Sequence, residues 1–446
     1  MPKSIVIDRI SRVEGHGGIT VRIRDGRVAD VNMDIFEGSR FFESLVVDRT
    51  YEEVAPILMR ICAICSGAHT VASLTAVEDA FSVAVTRQTR LLRELLVHGG
   101  NIESHALHVF CLAIPDFLGY PSVIALASDY LREVKIGLEL KKLGNMIQEA
   151  IGGRAIHPVN AVVGGFGKFP TRQTLLDLKE QLKGQLERAL AAVDIVAGLQ
   201  IPDFCNSPAV YAALASDEPG YGLFGHTITM STGEVKDVKA CRDICDERVV
   251  AHSHARHSRF KDKPFAVGAL ARIVLNGHKL SGRAKQARGQ LGLDSGKASE
   301  NILHNNAAQA VELVYSIERS LEVIDELLAE GIRQEEPGQA RVRAAAGVGA
   351  VEAPRGTLYH IYSFDEAGRL AEADVITPTA QNLASIEKDL RVTAQNLAGG
   401  SNEDLRSKLE MVVRAYDPCI SCAVHLVEVD PNERRIPRRA TQHIAK

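Results

Sequence analysis

The 446-residue chain reads as an α+β protein, mainly α with a small N-terminal β portion leading into a central bundle of long helices. Three observations predict that class. Residues 4–35 carry strand-like runs with a period of two around the dipeptide Asp25-Gly26. From about residue 42 onward, apolar side chains recur at steps of three and four. Glycine and proline gather in short segments between those periodic runs, where they punctuate rather than interrupt them.

Taken in order, residues 4–10 form the first strand-like run, and Glu14-Gly15-His16-Gly17-Gly18 follows as a glycine-rich turn. Residues 19–24 alternate apolar and polar, and Asp25-Gly26 is a strong hairpin signal before residues 28–31. A helix is expected over about 84–113. Another runs over 123–151, stopped by Gly152-Gly153. Leu175, Leu178, Leu182, Leu186, Ala189, Val193 and Val196 give residues 171–198 one apolar stripe. Ala310, Val314, Ile317, Leu321, Ile324 and Leu328 do the same for residues 300–331. Such amphipathic helices pack as a bundle. Residues 332–350 read as a loop, and Ala353-Pro354-Arg355-Gly356 as a loop between helices. Gly165-Phe166-Gly167-Lys168 lacks the spacing of a phosphate-binding loop. The whole chain, 1–446, reads as a single domain closed by its two ends: a β-rich part (1–40), a helical body (41–425) and a C-terminal extension (426–446).

Composition is that of an ordinary globular protein, 46% hydrophobic and 24% charged. A net charge of −4 gives no reason to expect nucleic acid as a partner. No apolar run approaches the ~20 residues of a membrane span. The start, Met1-Pro2-Lys3-Ser4, enters a strand without signal-peptide anatomy, so a cytoplasmic location is expected.

Eight cysteines fit a reducing compartment. Cys111 and Cys205 stand alone and read as small buried hydrophobes. Cys241 and Cys245 have helical spacing among charged residues and read as ordinary helix cysteines rather than ligands. The other four form two Cys-x-x-Cys pairs, each followed by a histidine: Cys62, Cys65 and His69, then Cys419, Cys422 and His425. Four thiolates suit soft or borderline transition metals, not magnesium or calcium. The pairs lie 357 positions apart. A structural zinc staple normally joins pairs within about 15–20 residues. A thiol–disulfide centre would need a thioredoxin-like setting that neither pair has. A buried metal centre at the heart of the fold is the reading that remains.

These residues resemble a known family. Arg60-x-Cys62-x-x-Cys65-x-x-x-His69 and Asp417-Pro418-Cys419-x-x-Cys422-x-x-His425 are similar to the two signature motifs of the large, catalytic subunit of nickel–iron hydrogenases. The resemblance extends to Arg12-Val13-Glu14-Gly15-His16, Ser104-His105-x-Leu107-His108, Pro115-Asp116-Phe117, Glu352-Ala353-Pro354-Arg355-Gly356 and Pro378-Thr379-x-Gln381-Asn382. It implies that family's large-subunit fold and the reversible heterolytic cleavage of H2 to protons and electrons. It further implies a Ni–Fe centre with all four cysteines as ligands, Cys62 and Cys419 terminal on nickel, Cys65 and Cys422 bridging. The iron would carry cyanide and carbon monoxide.

The same resemblance assigns roles around the metals. Cys419 would be the first proton acceptor and Glu14 the relay, against the plain reading of Glu14 as a turn glutamate. Arg355 would sit over the diatomic ligands, where a permanently charged donor suits bound cyanide. Pro378 and Thr379 would line the same pocket, the Thr379 hydroxyl donating to cyanide, against the plain reading of Thr379 as a turn residue. His69 would hydrogen-bond a bridging sulfur, and Asp116 would hold a charged side chain nearby. Glu43, His425 and the backbone carbonyl of Val375 would bind Mg2+. Here Phe41-Phe42-Glu43 departs from the family's more familiar Phe-Arg-Gly-x-Glu. For His105, His108 and His157, satisfied histidines and functional ones remain equal readings.

Partners follow from the same resemblance. No further cysteine set can hold iron–sulfur clusters, so an iron–sulfur small subunit would take the electrons. Residues 265–273 resemble the cytosolic bidirectional branch, with diaphorase-type or other electron-carrier subunits. In this family an endopeptidase usually removes a tail such as 426–446 after nickel-insertion proteins have loaded the site. Two other classes compete: a non-catalytic subunit like the quinone-site subunit of respiratory complex I, which lacks these cysteines, and a zinc-stapled scaffold. Nickel content separates all three.

Overall fold

The structure, a computed structural model, describes residues 3–38 and 40–424. Strands Lys3–Ile7, Gly17–Arg24 and Arg27–Ile35 form an antiparallel sheet in that order. Asp25 (φ 51°) and Gly26 (φ 73°) both adopt left-handed backbone. That is the mirror-image turn whose twist suits a tight hairpin. Ile5, Val21 and Val31 sit in register across the sheet, and all three are buried. Their face is tied to helix Pro378–Asn396, whose Glu387 and Gln395 accept the Met33 and Val28 amides (3.0 Å each).

Helices Arg87–Leu107, Leu131–Gly152, Arg172–Ala197 and Asn305–Glu330 pack as the expected bundle. Thr86 and Thr171 cap two of them, each hydroxyl accepting the amide three residues on. The run expected as one helix over 123–151 is two, Val123–Leu126 and Leu131–Gly152. The run over 84–113 changes character at its end: His108–Ala113 is a wider π-turn leading into Ile114–Leu118. Pro115 has no amide to close an ordinary turn onto Cys111, which accounts for the widening.

The region after residue 42 is less helical than its periodicity suggests. Small sheets occur at Ala161–Val162 with Gly165–Phe166, and at Ala212–Ala215 with Thr227–Met230 and Val235–Asp237. A hairpin joins Asp246–Val250 to Ser253–Arg259. The largest departure is the sheet Ala345–Ala353, Gly356–Phe364 and Leu370–Ile376. Its first strand overlaps the expected loop 332–350, and Pro354-Arg355 is a two-residue hairpin turn rather than a link between helices. The strand is rich in Ala and Gly, residues of low strand preference, because helix Ser66–Phe81 lies directly on it. A Cβ at Gly347 or Gly349 would come within 2.1 or 2.0 Å of the Ala76 or Ala72 carbonyl oxygen. Close approach, not strand propensity, chose those residues.

The segments around Glu14 and Cys419 meet in the core. The Ile420 amide donates to the Glu14 carbonyl (3.0 Å), and Glu14 and Cys419 form a parallel bridge. A Cβ on Gly15 (φ 84°) would fall 2.8 Å from both the Ile420 Cβ and the Ser421 amide nitrogen, so a side chain there would pry the two segments apart. Among the described residues, no helix is long and apolar enough to cross a membrane.

Candidate metal centre

Each cysteine pair stands at a helix start. Cys62 is the extended residue after the short helix Met59–Ile61, and Cys65 immediately precedes helix Ser66–Phe81. The Cys65 amide points back at the Cys62 sulfur (3.3 Å). Cys419 precedes the one-turn helix Ile420–Ala423, which carries Cys422. The preceding Asp417 is left-handed (φ 51°), a conformation costly for a side chain other than glycine. Its amide is held by the Arg414 carbonyl (2.8 Å).

The fold brings all four sulfurs within 4.8 Å of one another, and all four residues are buried. Cys62 lies 2.9 Å from Cys65 and 3.4 Å from Cys419, sulfur to sulfur. Hydrogen bonds from Cys419, then Cys422 and Cys65, hold the Cys62 thiol well below its usual range. Burial pushes the Cys419 and Cys422 thiols up.

Arg355 faces this cluster. Its Nε donates to the Asp417 carbonyl (2.7 Å), its Nη2 pairs with Asp417 Oδ1 (3.0 Å), and its Nη1 lies 3.7 Å from Cys65 Sγ. Burial opposes the Arg355 charge, but Asp417 and the neighbouring sulfurs outweigh it and keep the guanidinium protonated. The hairpin presenting Arg355 is fixed from behind by Arg272. That side chain donates to Glu312 (2.6 Å twice), Glu352 (2.9 Å) and the carbonyls of Ala353 and Pro354 (3.0 Å each). Glu352 also accepts from Thr357 and the Leu214 amide, so the first residue of Glu352-Ala353-Pro354-Arg355-Gly356 serves the scaffold.

Glu14 Oε2 lies 3.1 Å from Cys419 Sγ and accepts the Ser421 amide at the same distance, while the Ser421 hydroxyl donates to Oε1. Thr379, in the first turn of helix Pro378–Asn396, accepts the Cys419 amide (2.9 Å), which leaves its own hydroxyl proton available. A cavity of about 10 Å³ opens beside the sulfurs, lined by Cys65, Cys419, Cys422, Arg355, Pro378, Thr379, Leu358, Ala353 and His69. It combines apolar walls, one cation and a hydroxyl, in a space the size of a water molecule.

His69 bonds His360 (3.0 Å), which bonds the Tyr362 hydroxyl (2.6 Å), which donates to Ser73 (2.7 Å). Burial and the neighbouring His69 keep His360 neutral. Asp116 pairs with Arg12 and with Arg414 (2.7 and 2.9 Å), binding the segments that carry Glu14 and Cys419. Glu43, in helix Phe42–Leu45, accepts the Val375 amide (2.8 Å). It borders a second cavity, about 20 Å³, shared with Phe41, Phe42, Ile61, Ser421, Cys422 and Val424. His425 and the extension 426–446 lie outside the described residues.

His105 and His108 are tied into the surrounding scaffold by their rings, His157 by its backbone. His105 bonds Glu312 (2.8 Å); His108 bridges Gln309 (2.6 Å) and the Arg414 carbonyl (2.7 Å). The His157 amide donates to Ser66 (3.0 Å). Three contributors were not singled out from sequence. Arg40 donates to the carbonyls of Ile61 (2.6 Å) and Ser421 (2.5 Å), tying the two cysteine motifs together. Asp417 partners Arg355, and His360 extends the path from His69. Only Asp417 had a signal, as the acid beside a motif that elsewhere needs a counter-charge for Arg355.

The donor set fits a soft, multivalent metal cluster. Four buried sulfurs carry more latent negative charge than one guanidinium offsets, and thiolates select transition metals.

Comparisons with known proteins agree. The nickel-dependent hydrogenase family matches residues 40–135 and 244–425, and a HoxL-like family matches residues 4–37. The alpha subunit of sulfhydrogenase 1 from Pyrococcus furiosus is 41% identical over 95% of this chain and 98% of its own length. The alpha subunit of sulfhydrogenase 2 from the same organism is 40% identical over 95% and 100%. A crystal structure of an NAD+-reducing [NiFe]-hydrogenase in the H2-reduced state superposes with a TM-score of 0.86 at 28% identity, covering 95% of this chain and 99% of that one. With its four cysteines gathered at one buried point, the chain belongs to the nickel-dependent hydrogenase family, as a catalytic large subunit that cleaves H2.

Proposed function

We propose that the four cysteines hold one Ni–Fe pair, Cys62 and Cys419 terminal on nickel, Cys65 and Cys422 bridging to an iron that carries carbon monoxide and cyanide. When bound, the pair supplies the Lewis-acidic, redox-active metals at which H2 is split heterolytically. The chain's own residues then manage the proton and the small ligands. Cys419 Sγ takes the proton and hands it to Glu14 Oε2, 3.1 Å away, a carboxylate held in place by the Ser421 amide and hydroxyl. That contact is the observation that carries the reading. Arg355 and Thr379 would offer the cyanides an N–H and an O–H donor while Pro378 keeps the cavity apolar, a reading supported by their place in the cavity wall. His69 steadies a bridging sulfur and is itself oriented by His360. Asp116 holds Arg12 and Arg414, and with them the segments that carry Glu14 and Cys419.

Glu43, the Val375 carbonyl and His425 bind Mg2+. The cavity beside Glu43 supports this, being large enough for one ion or water. Electrons leave through an iron–sulfur small subunit. Of the eight cysteines, four converge and the other four are free and buried apart, so this chain offers no second cluster among the described residues. Further diaphorase-type or electron-carrier subunits would pass the electrons on, a reading supported by the likeness to an NAD+-reducing [NiFe]-hydrogenase. We read the chain as one cytoplasmic domain, loaded by nickel-insertion proteins, after which an endopeptidase removes residues 426–446.

Metal analysis of the natively matured heteromer tests the core of this reading. About one nickel per chain, lost together with hydrogen uptake in Cys62→Ser and Cys65→Ser, is the expected result. Zinc in place of nickel, or uptake that survives both substitutions, would overturn it.

A further inference from the structure

A second cluster of metal-ligating side chains lies among residues the hydrogen chemistry does not use. His252 occupies the turn of the hairpin Asp246–Val250/Ser253–Arg259, His257 sits on its second strand, and Glu387 projects from helix Pro378–Asn396. One donor atom from each lies within 4.8 Å of the other two. The two imidazole rings stand edge to face, 5.6 Å apart at 89°.

The hydrogen bonding of this cluster is incomplete. Glu387 Oε1 is engaged, by His252 Nε2 (2.7 Å) and the Met33 amide (3.0 Å). Its Oε2 faces His257 Nδ1 at 3.7 Å, beyond hydrogen-bond reach. His257 is 1% exposed, and neither of its ring nitrogens has a hydrogen-bond partner. Burying an imidazole with both nitrogens unsatisfied is unfavourable, and native interiors rarely leave such groups unpaired. A cation seated between the carboxylate and the two rings gives one of the two unpartnered His257 nitrogens a bond and replaces the His252–Glu387 hydrogen bond with bonds to the ion.

We propose that His252, His257 and Glu387 form a binding site for one first-row divalent cation of the zinc class, separate from the cysteine centre. Two imidazoles and a carboxylate are a borderline nitrogen–oxygen donor set, suited to zinc-like ions and poor for magnesium. Burial already favours the neutral His257 ring that ligation requires. His252 and Glu387 keep 26% and 16% of their side-chain surface open, enough to admit the ion and leave water on its outer side. The position gives the ion a mechanical task. Glu387 also holds Met33 of the N-terminal sheet. Ala255, between the two histidines, pairs with Val424, just past Cys422. The ion fastens the strand that pairs with the C-terminal cysteine segment at Val424.

The test uses the matured heteromer, treated with a mild chelator and titrated with Co2+ while visible absorption is recorded. Expected are one Co2+ per chain with a d–d band, displacement of that band by Zn2+, and unchanged nickel content. His252→Ala and Glu387→Gln should each weaken Co2+ binding by about tenfold or more. Should His257→Gln fail to fold, the more exposed His252 supplies the decisive variant. Absence of a Co2+ band in the wild type would overturn the site, and so would a band that both variants keep.

Discussion

Glu14→Gln isolates proton transfer from metal binding. In the structure the carboxylate meets Cys419 Sγ at 3.1 Å, the Ser421 amide at 3.1 Å and the Ser421 hydroxyl. A glutamine oxygen still accepts the Ser421 amide, and its NH2 group can donate to the Ser421 oxygen. The structural loss is therefore one charge-assisted bond exchanged for neutral ones, about 1 kcal/mol. The chemical loss is much larger, because an amide cannot carry a proton onward. General acid–base groups contribute roughly 10²–10⁴ in rate. At 1.36 kcal/mol per tenfold, that is about 3–5 kcal/mol of barrier. The assay is hydrogen uptake with an artificial electron acceptor, beside nickel analysis of the same preparation. Uptake should fall at least about a hundredfold with nickel retained. Full activity in the Glu14→Gln enzyme would mean that protons leave elsewhere. Nickel lost in step with activity would make Glu14 a scaffold residue.

Two further predictions concern the scaffold. Arg272→Met leaves Glu312 and Glu352 buried without their cation, which costs about 3–5 kcal/mol. It should lower the apparent melting midpoint and loosen the hairpin of Arg355. Adding Glu312→Gln should recover part of the loss, and strictly additive losses in the double variant would contradict the account. Glu94 gives a pH signature. Burial resists its charge, but His98 and Arg319 overcome that and hold it down to about 2, against the usual 4.5. A carboxylate depressed on folding stabilises above its unfolded pKa and loses that contribution as pH falls through the folded one. The midpoint difference between wild type and Glu94→Gln should narrow as pH drops from 4.5 toward 2. A gap that stays constant over that window would refute the pairing.

What the sequence disclosed depended on how local the cause was. The Asp25-Gly26 hairpin, the stripe along Arg172–Ala197 and the two cysteine pairs are legible because spacing alone sets them. The strand Ala345–Ala353 was not, because its glycines answer to the overlying helix Ser66–Phe81. The break at residues 127–130 and the π-turn before Pro115 escaped for a milder reason: apolar period carries across both. In the site, Glu14 and Arg355 were nameable through their motifs, whereas Arg40 was not. Its two carbonyl partners lie 21 and 381 positions away, and nothing local marks it. His360 likewise looks like any strand residue until His69 is seen beside it.

Four sulfurs from two distant stretches of the chain converge at one point, where one metal pair is proposed to bind. X-ray absorption at the nickel edge of the natively matured heteromer measures this directly. A first shell dominated by four sulfurs with an iron scatterer close behind is the predicted spectrum. A shell of nitrogen and oxygen, or sulfur from one cysteine pair alone, would contradict it.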